Sequence, residues 1–244
     1  MRYIQRSDRF IRDLFHNIRK EAPSMNSKQE KKTIFEIETP KGTVYIKRRC
    51  SPHLIKRLQI DPGIGTFFRY TTGATERQRN LFLNIACHEN EEVILAITQD
   101  DVIIGAITML HPGPEERWGK IEDPRIIEMG SIEVSVNWRR LGLARKLLEY
   151  TFANGTYDDK IVYSMELAWH WDFKHTTISK FEYRNILLRL FQSVGFVQLD
   201  TDEPEILMDS ANMLTVRMGK DTDQDLRDKF WYSLFERGDY RWGF

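Results

Sequence analysis

The run Arg139-Arg140-Leu141-Gly142-Leu143-Ala144 has the residue types of an anion-binding turn. Before it, Ile132, Val134 and Val136 alternate with Glu133 and Ser135, the period-two pattern of a strand. After it, Leu141, Ala144, Leu148 and Phe152 fall on one side of a helix. Gly142 carries no Cβ, so the backbone there lets a ligand come close. Ala144 keeps the first helical turn thin. The unpaired N–H groups of that turn, with the positive end of the helix dipole, suit a pyrophosphate. Arg139 and Arg140 add positive charge, with one of them in reach of a phosphate. The first glycines of a dinucleotide-binding GxGxxG are absent, and so is the Gly-Lys-Ser/Thr of a P-loop. Many strand-to-helix joints carry glycine and basic residues for turning and solubility alone, so the pattern takes its meaning from its context.

Other clusters also carry chemistry. In ELAWHWDFKH, residues 166–175, His170 and Asp172 share a face if the preceding strand persists. Such a pair relays a proton or orients an incoming amine, or else it is a satisfied structural pair under two tryptophans. Trp169 and Asp172 of this run are candidates for acceptor binding. No spacing here or elsewhere reads as a zinc site. Asp202 and Glu203 open an acidic loop that suits a basic segment, or simply faces solvent. Trp118, after Glu115-Glu116-Arg117, lies in a long Pro/Gly/charge-rich loop at 111–125, and loops of this size often wall a binding site.

The elements that would position these residues can be read from patterning. Ile34–Ile37 and Gly42–Lys47 read as strands around a Pro40–Gly42 turn. Pro52–Gln59 reads as a short helix, DPGIG at 61–65 as a loop, and Thr75–His88 as a helix with Thr75 as its cap. Glu92–Thr98 and Val102–Met109 form a hairpin. The strand Ile126–Val136 leads to the helix Leu141–Phe152. Then come a strand Lys160–Leu167, a helix Lys180–Val194, short strands Gly195–Leu199 and Met213–Met218, and a helix Asp223–Phe235. Hairpins mixed with strand–helix–strand units predict an α/β or α+β fold, a central mixed sheet flanked by helices. The domain reading is a basic extension over 1–32, with a helix over Tyr3–Lys20, then a main domain 33–220 and a helical segment 221–244 packed on it.

Composition excludes several classes. The 244 residues carry 36 basic and 36 acidic side chains, so no net charge draws the chain to nucleic acid or membrane. No run of eighteen apolar residues predicts a membrane span. Two cysteines, Cys50 and Cys87, are too few for a disulfide framework. With no unbroken apolar stretch near the N-terminus, the cytoplasm is the expected location. The oligomeric state stays open.

Arg139-x-x-Gly142-x-Ala144, after a strand and opening a helix, resembles the acetyl-CoA signature of the GNAT N-acetyltransferase superfamily. FQSVGF at 191–196 and the hairpin upstream fit the same order. GPEERW at 113–118, IIEMGSIEVS at 126–135, WHWDFK at 169–174, FEYRN at 181–185, TDEPEI at 201–206 and SANMLTVRMGK at 210–220 are similar to blocks of the acetoin-utilisation acetyltransferases. The resemblance implies a GNAT fold and acetyl-CoA as co-substrate; with no metal-ligand spacing in the sequence, no metal is expected. It implies that Val134 and Val136 pair through their backbone with the pantetheine arm. It further implies that Arg139, Arg140, Leu141, Gly142, Leu143 and Ala144 cradle the pyrophosphate. The expected acceptor is a protein lysine, that of acetyl-CoA synthetase. A small-molecule N-acetyltransferase and a non-catalytic acyl-CoA-sensing module are the alternatives.

A substrate lysine is mostly protonated at neutral pH, so a base is expected at the cleft. Glu133, on the strand leading into the turn, is the first candidate, and Glu128 is the second. His170 is a third proton-transfer candidate. The family often places a proton-donating tyrosine on the helix ahead of a Gly-Phe pair. Phe191 stands there, ahead of Gly195-Phe196, and a phenyl ring gives no proton. Tyr183, upstream on the same helix, is a candidate replacement.

Overall fold

The computed structural model describes residues 34–65 and 72–236. The expected helix over Tyr3–Lys20 and the rest of the basic extension lie outside the described residues. The described residues fall into two compact units. One runs up to Thr108 and includes Glu133–Leu143; the other comprises Met109–Ile132 and the chain from Ala144 onward.

In the first unit, β1 (Ile34–Thr39) and β2 (Gly42–Lys47) pair antiparallel, from Ile34 opposite Lys47 to Thr39 opposite Gly42. Gly42 makes the tight turn at φ 105°, a left-handed value that a side chain resists. On its other edge β2 pairs antiparallel with β4 (Glu92–Thr98). All seven β4 residues are buried, consistent with its Val-Ile-Leu-Ala-Ile run. Asp101 turns the chain from β4 into β5 (Val102–Leu110) at φ 59°, and the Val102 N–H donates to Thr98 Oγ1. The two-residue β3 (Gln59–Ile60) pairs parallel to β5. Ser51 caps α1 (Pro52–Arg57) through the Leu54 N–H, with Pro52 at the first helical position. The end of α1 is closed by Arg79 of α2 (Ala74–Ala86), whose Nη1 donates to the carbonyls of Ile55 and Leu58 at 2.6 and 2.7 Å. Helix α2 begins one residue before the expected Thr75–His88 start. Its cap is Gly73 in the left-handed region, with no side-chain bond, in place of Thr75.

The second unit holds most of β6 (Ile126–Val134), then β7 (Ile161–Glu166), β8 (Val197–Leu199) and β9 (Met213–Met218). β6 and β7 are parallel; β9 lies antiparallel to both β7 and β8. Each unit thus contains parallel and antiparallel ladders, as the hairpins and crossovers in the sequence imply. Its helices are α3 (Leu143–Thr151), whose first residue belongs to the first unit, α4 (Lys180–Gln192), α5 (Pro204–Leu207) and α6 (Gln224–Ser233). A reciprocal Ser179–Glu182 capping box starts α4, and Asp223 caps α6. Leu226, Phe230 and Leu234 from the α6 region close a core with Ile126, Ile161, Tyr163, Leu214 and Val216.

Trp118 belongs to that same core. It is 2% exposed, 4.4 Å from the Tyr163 ring and 6.1 Å from Phe230, measured between centroids. A role for Trp118 on an acceptor wall is therefore corrected: the long loop sends its tryptophan inward as an anchor. The loop then makes a single 3₁₀ turn, Gly119–Ile121.

Candidate active site

The strand before the turn alternates, but in the opposite sense to its chemistry. Glu133 and Ser135 are 7% and 0% exposed, whereas Ile132, Val134 and Val136 are only half-buried. Burial of the polar row is tolerated because its members are hydrogen-bonded. The Gly65 N–H donates to Glu133 Oε1 at 2.9 Å. The Ser135 hydroxyl donates to Asp61 Oδ1 at 2.7 Å.

Asp61 organises this end of the strand. Its Oδ1 also accepts from the Gly63 N–H at 2.8 Å and from Asn137 Nδ2 at 3.0 Å. The first of these is the turn that an Asp-Pro-Gly sequence favours. The Val136 N–H donates to the Gly63 carbonyl at 3.3 Å, and the Ser135 N–H to the Ile104 carbonyl at 2.8 Å. A Cβ on Gly63 would run into Ser135 Oγ, so glycine is what lets the loop lie this close. The Val136 amide is thus already engaged, and pairing of Val136 with a pantetheine arm is limited to its carbonyl.

β6 ends at Val134, two residues before the expected end, and the chain makes a 3₁₀ turn over Val136–Trp138. The Asn137 N–H donates to Ser135 Oγ at 3.1 Å within that turn. Arg139 is extended, Arg140 and Gly142 are left-handed at φ 63° and 75°, and α3 starts at Leu143, not Leu141. Leu143, Leu147, Leu148 and Phe152 form the buried face of this stretch; Leu141 and Ala144 are half-buried. A Cβ on Gly142 would meet nothing within 4 Å. The space over the turn is open, and the glycine is required by its positive φ. The cradle shape with Arg139 and Arg140 beside it fits a pyrophosphate on the Gly142 side.

The other candidates lie in the second unit. Glu128 is half-buried, and the Tyr163 hydroxyl donates to its Oε2 at 3.4 Å. Burial, followed by the Glu128 charge, pushes the Tyr163 phenol well above its usual range. After β7 the chain does not continue as a strand but makes a 3₁₀ turn over Ala168–His170. The strand on which His170 and Asp172 would share a face therefore ends before it reaches them. Asp172 is 2% exposed, and both its oxygens lie 2.9 Å from His175 Nδ1. Burial pushes the His170 imidazole down to about 4, which leaves it neutral and weakly basic at physiological pH. Trp169 is 46% exposed and meets His170 edge-on. Tyr183 stacks on Trp171 at 5.2 Å and 10°.

The acidic loop is tied to Arg117 of the 111–125 loop. Arg117 Nη1 lies 2.7 Å from Asp202 Oδ1, and Arg117 Nε donates to Glu203 Oε2 at 2.6 Å. Asn212 bonds backbone as its apolar surroundings require: it accepts from the Ala168 N–H and donates to the Glu205 carbonyl. Phe191 is fully buried against Phe196, 5.7 Å between centroids. Sequence patterning did not single out Asp61, although Asp-Pro-Gly signalled its turn. It also passed over Lys41, which only the fold brings against Asn137 and Trp138.

Among the described residues no group of three or more His, Cys, Asp or Glu side chains is arranged to hold a metal ion. No described helix is long and apolar enough to cross a membrane. Residues 59–154 match the Acetyltransferase (GNAT) family. The chain is 30% identical over 195 residues to the acetoin utilization protein AcuA of Bacillus licheniformis, covering 80% of this chain and 90% of that one. It is 32% identical over 196 residues to the Bacillus subtilis protein of the same name, with the same coverage. A crystal structure of an acetoin utilization protein from Exiguobacterium sibiricum superposes with a TM-score of 0.78 at 30% identity, over 84% of this chain and 94% of that one. The strand–turn–helix cradle and these likenesses agree: the chain belongs to the GNAT acetyltransferase family, among the relatives of the acetoin utilization proteins.

Proposed function

We propose that this acetyltransferase moves the acetyl group of acetyl-CoA to the side-chain amine of a protein lysine, with acetyl-CoA synthetase as the target. The observation that carries the reading is Glu133, a buried carboxylate on the strand that runs into the anion turn, oriented by the Gly65 N–H. Arg139, Arg140 and the Leu141–Ala144 backbone would hold the pyrophosphate, and Val134 the pantetheine arm. Bound there, the co-substrate supplies a thioester carbonyl. Glu133 takes a proton from the lysine ammonium, and the freed amine attacks the carbonyl in a ternary complex. The C–N bond forms, the nitrogen gives up its second proton to water as the C–S bond breaks, and CoA leaves as a thiolate that takes up a proton, so the sum is amide, CoA thiol and one released proton.

The protein target rests on the resemblance to the acetoin-utilisation acetyltransferases. A cavity of about 190 Å³, lined by Lys41, Asp61, Asp100 and Trp138 among others, is present in the first unit. It is smaller than the roughly 300 Å³ at which small-molecule sites begin, which weighs against that acceptor class for this cavity. Cys50 and Cys87 are both free thiols, in keeping with a cytoplasmic setting.

Incubating the protein with labelled acetyl-CoA and purified acetyl-CoA synthetase tests the target. Label on a synthetase lysine with loss of synthetase activity is expected; label on neither would remove the synthetase. The cradle has its own test. Gly142→Val forces a β-branched residue to φ 75°, at a cost of about 1–2 kcal/mol or more, and crowds the ligand side of the turn. The strain is present with and without ligand and cancels in the Kd, but the crowding is felt only in the complex, and the acetyl-CoA Kd should rise tenfold or more in calorimetry, a loss of about 1.4 kcal/mol. An unchanged Kd would refute the cradle.

A further inference from the structure

The tip of the first hairpin reaches across to the anion turn. Lys41 sits between β1 and β2, where the Thr39 hydroxyl donates to the Gly42 carbonyl at 2.7 Å and the Lys41 N–H donates back to Thr39 Oγ1 at 3.1 Å. From that braced tip the Lys41 side chain meets Asn137, 96 positions on: its Nζ donates to the Asn137 carbonyl at 2.5 Å. The same ammonium lies 5.4 Å from the centroid of the Trp138 ring, a cation held over an aromatic face. Asn137 and Trp138 belong to the 3₁₀ turn that leads directly into Arg139. All of these residues, and the turn as far as Gly142, lie within the first unit.

A lysine ammonium has three protons, and the Asn137 carbonyl accepts one of them. A carbonyl and a ring face attract a cation but leave its charge unneutralised. Asp61 and Asp100 line the same cavity as Lys41, yet neither forms an ion pair with it. Asp61 Oδ1 is instead engaged by the Gly63 N–H, the Ser135 hydroxyl and Asn137 Nδ2. Among the described residues Lys41 makes no ion pair, and Arg140, exposed on the turn, makes none either. Fixing a long lysine side chain costs rotamer freedom, and here the Asn137 bond fixes it before any ligand arrives. The result is a pre-positioned positive charge, without a counter-ion, beside a turn shaped for phosphate.

We infer that Lys41 is a phosphate-binding residue for acetyl-CoA, a third cation beside Arg139 and Arg140 that comes from the first hairpin. This rests on the acetyl-transfer reading above, and it carries the cradle beyond the strand–turn–helix segment. CoA bears phosphate in two places, the pyrophosphate and the ribose 3′-phosphate, and each offers an ammonium the same charged oxygens. The interaction is binding alone, and no bond to phosphorus is made or broken. It lies at the nucleotide end of the co-substrate, away from the thioester carbonyl, so it acts on affinity.

The test uses the full chain with two variants. Lys41→Met keeps the apolar stem and removes the charge; Lys41→Arg keeps the charge. Calorimetry measures the Kd of acetyl-CoA and of its 3′-dephospho form at low and at high salt, and needs no acceptor. Lys41→Met should raise the acetyl-CoA Kd about threefold to tenfold at low salt, and salt should shrink that loss by screening the contact. Lys41→Arg should stay within about twofold of wild type. A salt-sensitive loss seen with acetyl-CoA and absent with the dephospho form assigns the 3′-phosphate; the same salt-sensitive loss with both ligands assigns the pyrophosphate. Wild type that binds no acetyl-CoA removes the acetyl-transfer reading and this inference with it. Wild type that binds while Lys41→Met binds equally well overturns the inference alone. So does a loss that salt leaves unchanged and that Lys41→Arg shares, because it marks a contact that only braces the hairpin against the 3₁₀ turn.

Discussion

Glu133→Gln is expected to lower kcat by about a hundredfold to a thousandfold while acetyl-CoA binds within about twofold of wild type. The isosteric amide still offers an oxygen to the Gly65 N–H, so the 2.9 Å bond and the packing around a residue 7% exposed should survive. What is lost is the capacity to accept a proton from the lysine ammonium. The checks are steady-state turnover, calorimetric affinity for acetyl-CoA and thermal melting on one preparation. A kcat near wild type with a full complement of folded protein would remove Glu133 from the chemistry. Glu133→Ala is the poorer variant, because it also abandons the buried Gly65 N–H.

Gly219→Ala is expected to have a large effect on the fold. Gly219 follows β9, and its N–H donates to the Lys160 carbonyl at 2.8 Å. A Cβ there would overlap the Asp158 carbonyl oxygen and would lie 2.5 Å from both the Asp158 carbonyl carbon and the Tyr157 oxygen. All three are backbone atoms, tied down by the Asp221 N–H to Asp158 oxygen bond at 2.7 Å and by Arg217 on the Tyr157 carbonyl. Neither the turn at 157–158 nor the end of β9 can yield cheaply. Overpacking against fixed backbone costs about 3 kcal/mol, and in a chain of this size that lowers Tm by roughly 6–12 °C. Gly113→Ala is the control: its nearest new contacts, to Glu116, are at 3.5 Å, which is ordinary packing. Equal melting temperatures for the two variants would show that the 157–158 backbone gives way.

Local rules made much of this legible. The hairpin β1–β2 follows from alternating β-branched residues around Pro-Lys-Gly, and the α4 start from Ser179 with Glu182 three residues on. The Ile126–Thr151 strand–turn–helix was readable because its periodicity changes from 2 to 3.6 across a glycine. What escaped was tertiary. Period-two alternation gives two faces but not which is covered, so Glu133 and Ser135 are inside because Asp61 and Gly65 supply their partners from a distant loop. Trp118 looked like a loop residue because its partners, Tyr163 and Phe230, come from strands and helices far along the chain. Lys41 carried no signal, since its meaning depends on the carbonyl of Asn137, 96 residues on.

A single oxygen, Asp61 Oδ1, accepts from the loop, from the strand's Ser135 and from the turn's Asn137. Those three segments therefore behave as one mechanical part, and Gly65, the partner of Glu133, rides on it. A donor seated on the turn pulls on the same fastening that aims the carboxylate. Loosening Asp61 should consequently blur the distinction between binding and turnover, with one lesion registering in both KM and kcat. Asn at this position, whose amide oxygen can take the same three donors, is the substitution best placed to keep the two in step.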